Sequence, residues 1–476
     1  MQLLFLACAG SAPTTLPGID APLTVELVNP TSCSFCDPLE GIDTLRVDVL
    51  VDGLVADSAS FGYPGEDVVL PALSDFGVVR IRLVGLAGGE VRSVGRTREI
   101  ALEPEVAVTV PMLFLPANTT IPLSASMTAD RSRHAVLRRR DGRVLLLGGV
   151  NPDRDGTYSS GELFDPETWA FSTFEGGNLP SGLGSPRLGY AGTDEWLLIG
   201  GFVTGPTGDV ASATSAVWAQ STDLVRAGPD LVTPRNGHCF VMYRERLGIV
   251  FGGSSDTNGG ELLKLSDQTG DWELVNVPMR DFDQTLVSGC VALQDGSVFV
   301  VGDDAASTGR WSYDEGDTDP GEGFRPVDAL GEGADRSVHA PVVARVDDRV
   351  WVAGGADPYL ATAIADGRWF DPDLNGFVPA PGLGAARVEP GVDPWIDAGW
   401  YVVAGGWLDE DHVRAEASLE LVNPAAGTRG EVIPFDRDRN GVSVTTLLDG
   451  TVLLTGGYDA GDDGVIDAAL VLPWVE

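Results

Sequence analysis

Six arginines recur along the chain in one neighbourhood: Arg131-x-x-His134, Arg187-x-x-Tyr190, Arg235-x-x-His238, Arg336-x-x-His339, Arg387-x-x-Pro390 and Arg439-x-x-Val442. Gln284 stands at the corresponding place of a further copy. A guanidinium is a planar fork of donors that matches a carboxylate, so a ring of them suits an acidic ligand such as a carboxylate-bearing sugar or peptide. The alternative is that each arginine pairs with an acid of a neighbouring repeat and fastens the fold. Three of the four histidines belong to the same series and read as core-edge donors. His412 stands apart in an acidic segment.

Cysteines and acidic loops offer further chemistry. Cys33-Ser-Phe-Cys36 has the spacing of half a zinc site, but two more thiolate or imidazole ligands are needed and no histidine is near. A small disulfide pinning a loop is expected, with free thiols as the alternative. Cys239 and Cys290 fall at equivalent places in adjacent repeats, either as a disulfide or as two buried thiols. Asp436-Arg-Asp438-Arg-Asn440-Gly441 opens like an EF-hand loop, yet Leu447 stands where the bidentate glutamate belongs. The runs 314–319 and 459–463 offer at most weak calcium binding, and Ser266–Trp272 resembles a sialidase aspartate box with glutamine in the aspartate's place. No catalytic residue and no cofactor is assigned.

The elements that hold these residues come from a repeat. Gly-Gly pairs follow short apolar runs at Gly148, Gly200, Gly252, Gly354, Gly405 and Gly456, and Gly302-Asp303 is a degenerate seventh copy, so the period is roughly 50 residues. Upstream of several pairs lies an Asp-Gly hairpin turn followed by an apolar strand, as in Asp141-Gly142-Arg143-Val144 and Asp449-Gly450-Thr451-Val452. Downstream come a third strand, as in Glu162-Leu-Phe-Asp165-Pro166, and a fourth with an aromatic, as in Trp169-Ala-Phe171. Four short strands per repeat make a propeller blade. Seven copies predict seven blades. The last copy lacks a fourth strand, so a segment within 118–124 is expected to close the ring.

The diglycine, the aromatic strand and the spaced tryptophan resemble the Kelch family, although several repeats replace or lose the tryptophan. The Arg-x-x-His, Asp-Gly-Arg-Val-Leu and Phe-Asp-Pro pattern is similar to bacterial secreted Kelch proteins in the galactose-oxidase-like propeller group. That resemblance spans residues 120–476 and implies a seven-bladed β-propeller, a fold that hosts many functions. A copper-radical oxidase of this fold needs a tyrosine cluster with two histidines, one beside a tyrosine. No Tyr-His pair occurs here.

The 476 residues carry 31 basic and 70 acidic side chains, a net charge of −39. Such a surface repels phosphate backbones and excludes a nucleic-acid partner. Hydrophobic residues at 43% still support a packed fold. The first eight residues are mostly apolar and end in Ala7-Cys8, which resembles a bacterial lipobox that is short and lacks a basic start. The organisation expected is a signal-like segment and linker over 1–18, an immunoglobulin-like β-sandwich over 19–116, and the propeller over 117–476. The expected function is a non-catalytic scaffold of the bacterial envelope, an outer-membrane lipoprotein anchored through Cys8. It would bind an envelope protein or polysaccharide at a propeller rim. The competing reading is an isomerase, lyase or oxidase-like enzyme working at the channel mouth.

Overall fold

A computed structural model describes residues 5–475 except 8–22, 31–36, 67, 69–76, 103–107, 152–155, 192–193, 206–207, 245, 254–259, 278–286, 303–306, 313–322, 328–339, 358–361, 398, 410–413, 436, 438, 440, 460–463 and 466. No α-helix occurs among the described residues. Seven antiparallel sheets follow one another along the chain, each of four strands except the sixth, whose outer edge is split in two. Their first strands are Ala135–Arg138, Arg187–Tyr190, Cys239–Arg244, Val287–Ala292, Val342–Val346, Gly391–Pro394 and Ser443–Thr446. First strands of neighbouring blades pack on one another from blade 2 to blade 5 and from blade 6 through blade 7 to blade 1. This is a seven-bladed β-propeller.

Closure is by an N-terminal strand. Thr120–Pro122 pairs antiparallel with Ala469–Val471 and supplies the outer strand of blade 7. Ile121 is fully buried there, and the Trp474 N–H donates to the Asn118 side-chain oxygen at 2.7 Å.

The apolar core lies in the seams between blades. One cluster joins Leu137, Leu145 and Leu147 of blade 1 to Leu198, Ala216 and Trp218 of blade 2. The diglycines explain why blades can approach so closely. Both glycines of the Gly456-Gly457 pair have positive φ (64° and 108°), and a Cβ on Gly456 would stand 1.9 Å from the Arg131 carbonyl oxygen. Only glycine fits a left-handed turn with another blade's backbone against it.

The N-terminal region differs from the two separate sheets of a sandwich. Its described strands bond into one sheet, in the order Phe5–Ala7, Leu23–Val28, Val108–Pro116, Glu90–Arg96, Val78–Ala87, Thr44–Val51, Leu54–Gly62, with Ile100–Ala101 also paired to Val78–Ala87. The reason is the parallel pairing of Leu23–Val28 with Val108–Pro116, which joins what would be separate layers. One face of the sheet gathers Leu23, Leu45, Val47, Ile81 and Met112 into its own core. The other sends Val94, Leu113 and Leu115 into a core shared with Ile121, Phe164, Leu447 and Leu453 of the propeller. Arg96 completes the junction: its guanidinium lies 4.7 Å over the Trp395 ring and 3.1 Å from Asp397. The domain therefore sits against the hairpin turns joining first to second strands, at the opposite end of the strands from the diglycines.

Candidate functional site

The periodic arginines are where the sequence points first, and the structure corrects the rim reading for most of them. Arg131, Arg235, Arg387 and Arg439 are at most 1% exposed. Each sits in the segment that enters a blade, and three of them meet a buried glutamate of the third strand. Arg131 Nε donates to Glu162 at 2.8 Å, Arg235 Nε to Glu261 at 2.9 Å, and Arg387 Nε to Glu420 at 3.3 Å. A second guanidinium nitrogen donates to the first glycine of the pair: Arg131 to Gly148 O and Arg235 to Gly252 O, both at 2.6 Å.

The glutamates complete the device by accepting backbone N–H groups of the entering segment. Glu162 takes those of Thr128 and Ala129, Glu261 those of Val232 and Thr233, and Glu420 those of Gly384 and Ala385. The pairing is thus within a blade and not between neighbours. It is a latch holding each entering segment against its own third strand. A buried charge is stable only when paired and hydrogen-bonded on all sides, and these are.

The other blades vary the latch. Leu183 occupies the arginine's place in blade 2, and Ala216 the glutamate's, since Ala216 pairs with Leu198 as Glu162 does with Leu146. Pro180, which has no N–H to offer, stands where Thr128 stands in blade 1. In blade 7, Arg439 donates to Asp467 O at 2.6 Å and Ala469 replaces the glutamate. The glutamates went unread in the sequence, although each is the residue before a leucine in a repeat that also carries the arginine.

Arg187 shares the local pattern of this series, but it stands four residues beyond Leu183, in the first strand itself. It is exposed, and its Nε donates to His238 O at 2.9 Å. Arg336 lies outside the described residues, as do His339, His412, Cys8, Cys33 and Cys36, and most of the three calcium-like loops.

His134 and His238 are buried struts between blades. His134 Nε2 lies 2.9 Å from Thr455 Oγ1 of blade 7, and His238 Nε2 donates to Ile199 O of blade 2 at 3.0 Å. Burial, reinforced by Arg131 beside one and by Arg187 and Arg235 beside the other, pushes both imidazoles down to about 3, so both are neutral at physiological pH. Cys239 and Cys290 form a disulfide joining the first strands of blades 3 and 4, with Cα atoms 5.9 Å apart. The Ser266–Trp272 segment is a hairpin turn in blade 3, in which Asp267 pairs with Arg246 and Trp272 Nε1 donates to Glu195 at 2.9 Å.

The channel mouth on the diglycine side is drawn together by backbone. Among the described residues, the one two beyond each latch position is left-handed: Arg133 (φ 51°), Ser185 (50°), Gly237 (71°), Glu389 (52°) and Gly441 (66°). The Arg133 N–H donates to Gly441 O at 3.0 Å and the Ser185 N–H to Arg133 O at 2.9 Å, so blades 7, 1 and 2 are linked in turn. Non-glycine residues held at positive φ cost energy, and here backbone bonds between entering segments hold them. The cleft between the N-terminal domain and blades 7 and 1, lined by Val110, Leu113, Trp169 and Leu448, is only about 50 Å³ and holds little more than a water molecule or two.

No family model matches the chain, and no curated protein matches it. Among solved structures, a fungal alcohol oxidase of the AA5 family, determined in complex with copper, is similar over 73% of this chain and 75% of its own, with a TM-score of 0.56 and 15% sequence identity. That likeness shows the propeller fold alone. The described residues do not fit a copper centre of that kind: His134 and His238 lie two blades apart with their Nε2 atoms committed to blade seams. No group of three His, Cys, Asp or Glu side chains able to hold an ion occurs among the described residues.

Proposed function

We propose that the chain is a binding or scaffold protein of the bacterial cell envelope, a Kelch-like propeller that recognises an envelope protein or polysaccharide and is tethered by lipid at Cys8. The observation that carries the proposal is a division within each repeat. Arginine, glutamate and histidine are consumed in fastening the blades, whereas the loops from second to third strand differ from blade to blade. They run from 200–214 in blade 2 to only 303–308 in blade 4. Variable loops on a fixed scaffold are where recognition is built. These loops lie on the face turned away from the N-terminal domain, which itself occupies the hairpin-turn end of blades 6, 7 and 1.

The test is a binding screen of the full chain against envelope glycans and proteins, repeated with Val203–Val210 of the blade 2 hairpin replaced by two glycines. Leu374→Glu, on the opposite face, serves as control. Saturable binding weakened by the loop replacement and kept by the control supports this reading. Loss only in the control would move recognition to the other face. Copper-dependent oxidation of a primary alcohol by the purified chain would favour the oxidase-like alternative, for which the fold likeness is the present support.

A further inference from the structure

We infer that Asn236, at the diglycine-side channel mouth, is a modification site of the folded chain: its side-chain amide is lost to the backbone nitrogen of Gly237, leaving isoaspartate or aspartate. Asn-Gly pairs occur at Asn236, Asn258, Asn375 and Asn440. A glycine after asparagine lets this reaction run without an enzyme, because no Cβ hinders the approach of its nitrogen. The Gly237 nitrogen attacks Cγ of Asn236. The new C–N bond closes a succinimide ring, and ammonia leaves with the proton of that N–H. Water then opens the ring at either carbonyl, giving aspartate or an isoaspartate whose main chain is longer by a methylene. No oxidant, metal or second protein is needed.

Fold, and not the dipeptide, separates these pairs. Asn236 and Gly237 are both exposed, between the buried Arg235 and the buried His238. The Asn236 side-chain amide has no partner among the described residues, and a Cβ on Gly237 would meet nothing within 4 Å. At the same place in other blades the N–H is held: Arg133 donates to Gly441 O at 3.0 Å, Ser185 to Arg133 O at 2.9 Å and Glu389 to Ala340 O at 3.0 Å. The Gly237 N–H makes no such bond among the described residues, so the nucleophile is free and open to water.

Asn375 is the contrast. It is half-buried, its Nδ2 donates to Pro326 O at 3.0 Å, its Oδ1 is shut from solvent, and Gly376 opens a strand paired with Asp371. The leaving nitrogen is tied there, and the attacking one sits in a paired strand. Asn258 and Asn440 lie outside the described residues. The product at Asn236 lies between two anchors, the Arg235 latch on Glu261 and the His238 strut on Ile199 O. A longer main chain between them strains the seam of blades 2 and 3. The modification stands whether or not the diglycine face binds a ligand.

Incubation of the full chain at mildly alkaline pH, where the attacking nitrogen loses its proton more readily, tests it by peptide mapping and enzymatic methylation of isoaspartate. Amide loss at Asn236 is expected to be at least about tenfold faster than at Asn375, the factor that a hydrogen bond on the leaving nitrogen and a paired strand put on the barrier. In the chain unfolded by urea the two rates are expected to converge. Gly237→Ser, the residue that blade 2 carries at this place, is expected to slow the loss at Asn236 by roughly tenfold. No isoaspartate at Asn236, equal rates at Asn236 and Asn375 in the folded chain, or a difference that persists in urea overturns the site.

Discussion

At the scale of single residues, the molecule separates arginines that fasten from arginines that face solvent. The residues immediately around Arg187 and Arg235 look alike, but Arg235 lies 17 residues before its diglycine and Arg187 only 13. Arg235 therefore sits in the entering segment and meets Glu261, 26 residues on in the run Gly260-Glu261-Leu262, whereas Arg187 stands in the first strand itself. Blade 2 gives the experiment its design. Arg131→Leu alone leaves Glu162 buried and uncompensated, with an expected loss of about 3–5 kcal/mol. Thr128→Pro, Arg131→Leu and Glu162→Ala together reproduce blade 2, and denaturant unfolding is expected to recover most of that loss. A triple variant as unstable as the single one would mean that the latch is not interchangeable. The histidines set a pH dependence. They protonate near 6.5 in the unfolded chain but only near 3 in the folded one, so the unfolded state binds protons first and stability falls as pH drops from about 6.5 towards 3. At pH 5 each contributes a loss of about 2 kcal/mol. The thermal midpoint is expected to fall more between pH 7 and 5 in the parent than in His134→Gln/His238→Gln, and parallel curves would reject this.

At the scale of elements, the blades were legible because their signals are local. An Asp-Gly turn, an apolar strand and a diglycine each demand a particular backbone within a few residues, and the positive φ at Gly142 (89°), Gly296 (80°) and Gly450 (87°) meets that demand. The closing strand was legible by subtraction, since the final repeat ends after three strands. The N-terminal sheet was less so. Alternation tells which face of a strand is buried, but not that Leu23–Val28 runs parallel to a strand about 85 residues away. Closure makes a sharp prediction. Ile121→Ala removes a fully buried side chain from the strand that seals blade 7 and is expected to cost about 2–5 kcal/mol. Hydrogen exchange should quicken first at Ala469–Val471 of the same sheet. Faster exchange confined to the N-terminal domain would contradict closure by this strand.

At the scale of the whole molecule, a chain of charge −39 is held in a ring by buried apolar seams between its blades. Self-repulsion of the surface opposes compactness; the seams answer it with apolar clusters, neutral histidine struts and a disulfide between blades 3 and 4, while arginine–glutamate latches fasten single blades. The N-terminal domain shares a core with blades 7 and 1 and leaves the diglycine face open. The repeat's periodic chemistry is spent on fastening the blades. The most direct test is the unfolding free energy of Arg235→Ala beside Arg187→Ala, measured by denaturant titration under one set of conditions. A loss of about 3–5 kcal/mol for Arg235→Ala and less than about 1 kcal/mol for Arg187→Ala is the expected result. Equal losses, or a harmless Arg235→Ala, would contradict it.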